Sequence, residues 1–284
     1  MFAPKFSDII RAAGRLSASP SVLTQLSDLL SNVDSELDAV AALIKQDAAL
    51  AATVLRIANS SYYGRPGIGS IDEAVGCLGF GEVFRLVGFA TTRMLVDSNL
   101  RFYDLDAEVL REHMIATALA AEGIAKHTHL DARHAYTSGL LRPIGILALD
   151  QLARSLIHPV ETYSVVDGNY TNWERRVMSI NHPAATVAIM KEWNFANDVI
   201  DAIRGYDVPA GSPSEGAVVL QLALSIADDL GFALPGEANL WRPDRVKLEF
   251  LRVDENDLQS VAEDILVRMS LFQQARPQLQ GSGC

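Results

Sequence analysis

The sequence contains few cysteines, two among 284 residues. Cys284 is the last residue, and Cys77 lies in an apolar stretch where we expect a small buried side chain. Two cysteines placed in this way exclude a disulfide framework and a cysteine-based zinc site. The chemistry of the protein must therefore rest on other side chains.

Long uncharged apolar runs are also missing. The first 14 residues carry Lys5, Asp8 and Arg11, so they lack the apolar stretch of a secretory signal peptide. Nowhere does an uncharged apolar run approach the length that spans a membrane. These absences predict a cytoplasmic protein without membrane insertion.

Basic charge is scarce as well. The sequence has 24 Lys and Arg against 35 Asp and Glu, a formal net charge of −11, and no dense run of basic residues. Proteins that bind nucleic acids neutralise phosphates with clustered Lys and Arg. We therefore expect no nucleic-acid partner. The apolar fraction of 49% nevertheless predicts a folded core.

Apolar residues recur at helical spacing nearly throughout the chain. Clear examples run from Leu37 to Ile57 and from Leu258 to Phe272. Strand-like alternation is confined to residues 246–250, which fit a short helix equally well. The pattern predicts an all-α protein.

Several residues mark where these helices begin. Asp47 is placed as an N-cap. The segments Ser70–Glu73 and Thr171–Glu174 match the capping box, in which a hydroxyl and a carboxylate satisfy backbone N–H groups reciprocally. Polar or Pro/Gly-rich connections lie at Asp97–Asp106 and Asp207–Pro213.

These connections predict how the chain is organised. We expect a single unit over residues 1–284, built as a two-lobed multi-helix bundle. The first connection divides it into an N-terminal helical lobe, residues 1–105, and a second lobe, residues 106–284, which includes the C-terminal helices.

Three of the six histidines cluster near one predicted helix end: His127, His129 and His134. A metal site is one interpretation, and exposed loop histidines are the other. The spacing from His129 to His134 does not place them on one helical face, and no group of carboxylates accompanies them. We favour exposed loop histidines.

Five motifs, in a fixed order from about Leu16 to Leu230, together resemble the signature of the HDOD family, the HD-related output domains. They are Asp47–Ser60 with Tyr62-Tyr63-Gly64, Ser70–Gly79, Ser138–Leu147, Asn181–Arg204 with Trp193, and Ile226–Asp228.

The resemblance implies a second lobe like that of the HD phosphohydrolases. Those enzymes hold one or two divalent metals with a His, a later His-Asp pair and a distant Asp, and the metal activates a bound water. Matched by position, His113 corresponds to the first His, Asp228 to the distant Asp and His182 to a further His of some members. Arg142-Pro143 stands where the His-Asp pair belongs.

This departure predicts that no metal binds. Proline offers no ligand atom, and arginine stays protonated without a lone pair to give. An inward guanidinium about 4 Å from a divalent ion would be repelled by about 8 kcal/mol at an effective dielectric constant of about 20. We expect a relic site at His113, Arg142, His182 and Asp228, in which His113 and Asp228 satisfy each other or cap nearby helices. It would hold no metal, no cofactor and no catalytic residue.

The function implied by the resemblance is that of a pseudoenzyme, a non-catalytic regulatory module in bacterial signal transduction and response regulation. It would act through contacts with signalling proteins, such as receiver-domain or cyclic-dinucleotide-enzyme proteins. The partner-binding candidates lie in the most family-specific stretch, although the two tyrosines fit core positions equally well: Asn59, Ser60, Tyr62 and Tyr63.

Two other functions stay open. One is a nucleotide sensor, in which the vacated metal cavity takes a small ligand and Arg142 binds its phosphate. The other is a divergent metal-dependent phosphohydrolase that uses His113, His182 and Asp228 with an unexpected ligand such as His134 or Glu112.

Overall fold

The computed structural model describes residues 4–16, 37–59, 67–156, 161–207 and 213–280, together with positions 22, 25 and 28. Over these ranges the chain is helical, with an isolated bridge between Leu100 and Leu105 and no β-strand. The all-α prediction is confirmed. No helix in the described ranges is long and apolar enough to cross a bilayer.

In the continuously described ranges before residue 105, the helices are short, apart from the last of them. They are α1 (Phe6–Ala13), α2 (Leu37–Lys45), α3 (Ala48–Ala58), α4 (Ile71–Leu78) and α5 (Phe80–Leu95).

The later helices surround a long central one. They are α6 (Ala107–Ala125), α7 (Ala132–Leu141), α8 (Ile144–Arg154), α9 (Tyr170–Met178), α10 (His182–Glu192), α11 (Asn197–Gly205), α12 (Glu215–Asp229), α13 (Arg245–Leu251) and α14 (Glu255–Gln280), with a 3-10 turn at Val165–Asp167.

Helix packing follows two groups. Helices α2 to α5 pack on one another, whereas α6 packs against α7, α12 and α14, and α8 packs against α10. Helix α1 leaves its sequence neighbours and packs on α8 and α10. The division into lobes at residue 105 stays a prediction.

Two of the predicted helix starts are capped by the expected side chains, although the capping box at Ser70 is not reciprocal. The Asp47 carboxylate accepts the N–H groups of Ala49 and Leu50 at 2.9 and 3.0 Å. The Ser70 hydroxyl accepts the Glu73 N–H at 3.1 Å, while the Glu73 carboxylate accepts the N–H of Gly69 instead of that of Ser70.

The capping box predicted at Thr171–Glu174 is wrong. Helix α9 begins at Tyr170, and its N-cap is Asn169, whose side chain accepts the Asn172 N–H at 2.9 Å. Asn169 has the same capping chemistry as Thr171 and comes earlier in the chain, so the helix starts before Thr171. Glu174 is thereby left for another role, and it is completely buried.

Two glycines let the helices around the centre approach closely. A Cβ atom at Gly139 of α7 would lie 2.7 Å from the carbonyl oxygen of Thr117 in α6. A Cβ atom at Gly145 of α8 would lie 2.2 Å from the carbonyl oxygen of His182 in α10. Neither distance is possible for a real side chain, so glycine is required at both positions. The chain between them, which contains Arg142, is held against α6 and α10.

Cys77 differs from the expectation. It lies near the end of α4 and is exposed, because the buried face of this short helix is formed by Ile71, Ala74 and Val75. Residues 246–250 belong to helix α13.

Candidate functional site

Four residues from distant parts of the chain meet in the buried centre of the later helices. His113 lies in the middle of α6, Arg142 caps the C-terminus of α7, and His182 is the first residue of α10. Glu237 comes from the segment between α12 and α13. All four are buried, and Arg142 has no exposed surface. We call these residues, with their partners Glu174 and Tyr206, the central cluster.

The Arg142 guanidinium lies at the middle of the central cluster. It donates two parallel hydrogen bonds to the Glu237 carboxylate, at 2.8 and 2.7 Å, which is the bidentate geometry of a strong ion pair. A third N–H reaches the Tyr206 hydroxyl at 3.1 Å, and a fourth reaches His113 Nε2 at 2.5 Å. Only the Nε atom is buried without a partner among the described residues. Four of the five N–H donors of Arg142 are therefore used inside the protein.

The ring of His113 is held in one tautomer by its two neighbours. Its Nδ1 atom lies 2.7 Å from the carbonyl oxygen of Phe232, which can only accept, so Nδ1 carries the proton. The lone pair of Nε2 is then used by Arg142. Burial, together with the positive charge of Arg142, lowers the pKa of His113 to about 4. His113 is therefore neutral near pH 7, with both nitrogens engaged.

His182 is in the opposite state. Its Nδ1 atom lies 2.9 Å from the Glu174 carboxylate, and its Nε2 atom lies 3.1 Å from both Glu237 Oε1 and the Tyr206 hydroxyl. Burial by itself would lower the pKa of His182, but the negative charge of Glu174, aided by Glu237, outweighs it and raises the pKa to about 9. Both ring nitrogens therefore carry protons near pH 7, so neither has a lone pair for a metal.

The charges within the central cluster balance. Arg142 and His182 are the cations, and Glu237 and Glu174 are the carboxylates. Burial by itself would raise the pKa of Glu237, but the positive charge of Arg142 outweighs it and holds this pKa well below its usual range. Glu174 also accepts the Tyr103 hydroxyl at 2.5 Å and the His182 backbone N–H at 2.7 Å. Because each cation is paired with a carboxylate, the four charged groups can be buried.

The residues of the central cluster do not fit a divalent metal. The guanidinium of Arg142 is within hydrogen-bonding distance of His113 Nε2 and of both Glu237 oxygens, the atoms that would ligate an ion. His182 donates from both nitrogens and supplies no further ligand. Throughout the described ranges, no group of three or more His, Cys, Asp or Glu is arranged to hold a metal ion.

Comparison with known families identifies the family of the chain. The model of the HDOD domain matches residues 16–209, more than half of the chain. The chain belongs to the HDOD family. The position of Arg142 at the metal site of HD phosphohydrolases stays a prediction from the resemblance.

A further protein is similar to this one over most of the chain. An uncharacterized protein of Treponema pallidum (strain Nichols) is 25% identical over 255 residues, which are 87% of this chain and 48% of that protein. The HDOD chain thus spans about half the length of that relative.

Solved structures share the fold. A candidate signal transduction protein of Marinobacter aquaeolei VT8 has a TM-score of 0.71 at 21% identity, covering 96% of this chain and 65% of its own. An HDOD domain protein of Geobacter sulfurreducens has a TM-score of 0.68 at 19% identity, covering 97% and 99%. A candidate phosphohydrolase of Shewanella amazonensis SB2B has a TM-score of 0.62 at 22% identity, covering 95% and 98%. The two-lobed helical fold with an HD-like second lobe is confirmed.

Asp228 does not join the other three candidates. It lies in the last turn of α12, partly exposed, and its carboxylate accepts the Asn239 N–H at 2.6 Å. The chain turns after α12 at Gly231, where φ is +84°, and the returning segment brings Phe232 and Glu237 into the centre. The carbonyl oxygen of Phe232 accepts the hydrogen bond of His113 that we expected Asp228 to accept.

The three clustered histidines are not brought together either, and His134 lies within α7 and is half-buried, so it is not the exposed loop histidine that we expected. His127 lies 3.0 Å from Asp257 and His129 lies 3.0 Å from Glu215. His134 lies 3.7 Å from Asp198. Each acidic partner belongs to a different helix, so the three rings face different ways.

Of the partner-binding candidates, Asn59 can be placed. Its amide nitrogen donates to the carbonyl oxygens of Leu55 and Ile68 at 2.9 and 2.8 Å. Its amide oxygen accepts the N–H groups of Gly67 and Ile68 at 2.8 and 2.9 Å. The side chain thereby joins the end of α3 to residues 67–68. Ser60, Tyr62 and Tyr63 lie outside the described residues.

Sequence reasoning missed Glu237, Glu174 and Tyr206. Glu174 carried a usable signal, because it lies on the same helical face as the buried Tyr170 and Trp173, and a charge on such a face needs a buried partner. Glu237 follows Pro235-Gly236, a pattern that indicated only a turn. Its pairing with Arg142 joins residues 95 positions apart.

Proposed function

We propose that this HDOD protein is a non-catalytic regulatory module that acts through protein–protein contacts in a bacterial signalling pathway. The observation that carries the proposal is the buried, ion-paired guanidinium of Arg142 among the atoms that would otherwise ligate a metal.

The lack of catalysis follows from the chemistry of that guanidinium. HD-type hydrolysis needs an ion that binds a water molecule and lowers its pKa. A guanidinium accepts no lone pair in that way, and it stays protonated. Arg142 also has no exposed surface, so neither water nor a phosphoester reaches it without opening the core.

The regulatory part of the proposal rests on the N-terminal helices. Asn59 uses all four hydrogen-bonding positions of its amide to join residues on both sides of segment 60–66. Residues that follow a helix end are a suitable place for contacts with another protein. We propose that Tyr62 and Tyr63 make these contacts, with a receiver-domain protein or a cyclic-dinucleotide enzyme as the partner. A signalling role is in keeping with the name of the Marinobacter protein that shares the fold.

The test is affinity capture from a native lysate of the source bacterium, with mass spectrometry of the captured proteins. Tyr63→Ala should lose a reproducible partner that the unchanged protein and Val166→Ala retain, because Val166 is an exposed residue of the 3-10 turn. Thermal unfolding of each variant separates a lost contact from a lost fold. If Tyr63→Ala captures the same proteins as the unchanged chain at equal stability, the proposed contact is wrong.

A further inference from the structure

A cleft of about 620 Å³ lies beside the central cluster, between α1, α10 and the ends of α9 and α11. Two of its lining residues are chain neighbours of cluster residues, since Asn181 precedes His182 and Asp207 follows Tyr206. Unlike the central cluster, the cleft is open to solvent along several of its side chains. Its volume is within the range of pockets that bind small molecules.

The cleft is basic on an otherwise acidic chain. Arg175, Lys191 and Arg204 line it, and Asp207 alone is acidic among the described lining residues. The whole chain has a formal net charge of −11. A local excess of positive charge inside a concave surface concentrates anions there.

These cations are available to a ligand. Lys191 is exposed and forms no ion pair with any residue in the described part of the chain. Arg175 is 54% exposed, and its contact with Asp207 is long, at 3.4 Å. Arg204 is 52% exposed and pairs with Asp201 on its own helix. Half-exposed ion pairs of this kind contribute little to stability, so an anionic ligand can replace them.

The floor of the cleft is apolar. Pro183, Ala184, Val187 and Ala188 present small side chains along one side of α10. Phe6, the first residue of α1, also lines the cleft and is 60% exposed. A floor without long side chains beside an accessible aromatic ring suits a flat, partly apolar group.

We propose that this cleft binds a phosphate-bearing small molecule with a planar ring, of about the size of a nucleotide. The arginines would hold the phosphate, since a guanidinium matches its oxygens in a two-pronged geometry. The ring would lie on the floor of α10 against Phe6. The binding group differs from Arg142, which is fully buried and already paired with Glu237. A nucleotide is therefore held beside the relic metal position and not within it.

Isothermal titration calorimetry with adenosine and guanosine monophosphates tests the proposal on the unchanged protein. Adenosine, guanosine and inorganic phosphate serve as comparison probes. We expect saturable binding of at least one monophosphate, about tenfold or more tighter than its nucleoside, because the charged hydrogen bonds are lost without phosphate. Inorganic phosphate should also bind more weakly, because it lacks the ring. Raising the salt from about 0.05 M to about 0.5 M should weaken binding, since exposed charges are screened.

Two variants test whether the ligand binds in this cleft. Arg204→Gln should weaken binding about tenfold, by loss of a charged contact. Arg242→Gln is its matched control, because Arg242 is 55% exposed, pairs with Asp229 and lies outside the cleft. Ala188→Trp should abolish binding by filling the floor without changing charge. Thermal unfolding checks that each variant is folded.

Three outcomes would overturn the proposal. The first is that neither monophosphate binds at up to about 1 mM, a concentration that detects even weak sites. The second is that a nucleoside binds as tightly as its monophosphate. The third is that folded Ala188→Trp and Arg204→Gln bind as well as Arg242→Gln.

Discussion

The ion pair between Arg142 and Glu237 depends on both of its partners being present. Removing one partner of a buried pair leaves an uncompensated charge, which destabilises a protein by about 3–5 kcal/mol. Removing both leaves no such charge. The exposed pair between Arg245 and Glu249 offers a contrast, because water already solvates its groups.

We therefore predict that Glu237→Gln lowers the free energy of unfolding by about 3 kcal/mol or more. The double variant Arg142→Met with Glu237→Gln should recover part of that loss, since no bare guanidinium remains. Glu249→Gln should cost less than about 1 kcal/mol. Urea unfolding measures all three. A double variant that is no more stable than Glu237→Gln would contradict the pairing.

The pKa values of the two central histidines, His113 and His182, predict that the free energy of unfolding is greatest near pH 6.5, the ordinary pKa of histidine. His182 has a folded pKa of about 9, so below pH 6.5 it is protonated in both states and its contribution is fully present. Above pH 6.5 the unfolded chain releases this proton first, and the contribution is lost as the pH rises to about 9. His113 has a folded pKa of about 4, so it lowers the stability of the folded state in acid. Below pH 6.5 the imidazole of the unfolded chain binds a proton, whereas that of the folded chain stays neutral until the pH approaches 4.

His182→Gln should accordingly flatten the decline in unfolding free energy between pH 6.5 and pH 9 and leave the decline below pH 6.5 in place. His113→Gln should do the reverse. Urea unfolding at a series of pH values between these limits measures both slopes. An unchanged alkaline slope in His182→Gln would show that this imidazole is not the charged partner of Glu174.

The sequence located part of this site and missed its counter-charges. Arg142 and His182 lie within recognisable motifs, and His113 was matched by its position in the chain, so the resemblance was enough to find all three. Glu237 could not be found in that way, because its partner is 95 residues away and an ion pair leaves no local pattern. Asp228 has the matching position in the chain, but the turn at Gly231 brings other groups to the centre.

At the scale of helices, close contacts between backbones determine where Arg142 lies. The Gly145 N–H donates to Thr186 Oγ1 at 3.0 Å, and the same hydroxyl donates to the carbonyl oxygen of Arg142 at 2.9 Å. The start of α8 is thus fixed to α10 by one threonine and one glycine. Any side chain at Gly145 must separate these helices.

Gly145→Ala should therefore destabilise the protein by about 1–3 kcal/mol, the usual effect of overpacking a core. Gly76→Ala is the matched control, because Gly76 lies in α4, is exposed, and a Cβ atom there meets nothing within 4 Å. It should stabilise α4 by about 0.5–1 kcal/mol. Thermal unfolding compares the two changes. Equal effects of both alanines would contradict the close approach of α8 and α10.

Helices were predictable to the extent that their signals are local. Periodicity and the side chains of Asp47 and Ser70 identified helix starts correctly. Thr171–Glu174 misled because Asn169 offers the same capping chemistry two residues earlier. The packing of α1 on α8 and α10 was beyond prediction, since an apolar helical face does not specify which helix covers it.

On the scale of the whole molecule, charge is distributed in three ways. The chain as a whole is acidic, the central cluster is balanced, and the cleft beside it is basic. The fold places the central cluster and the cleft side by side. We propose that the central cluster corresponds to the metal site of HD phosphohydrolases and that a guanidinium takes the place of the metal.

A double change provides the positive control for that account. Arg142→His with Pro143→Asp restores the ligand types of the HD pair and frees His113 Nε2 and the Glu237 carboxylate from the guanidinium. We predict that this variant gains affinity for manganese or iron. It need not gain catalysis. Metal ligands are held in place by hydrogen bonds from neighbouring groups, and the absence of those groups commonly lowers metal affinity or activity by about ten- to hundredfold.

The metal content of the unchanged protein decides whether Arg142 excludes a metal from the central cluster. It is measured by plasma mass spectrometry after incubation with manganese, iron and magnesium and removal of free ions. We predict no stoichiometric metal, because Arg142 uses the lone pair of His113 and both oxygens of Glu237. One tightly bound transition metal per chain, lost on His113→Ala together with a chelator-sensitive phosphoesterase activity, would contradict it.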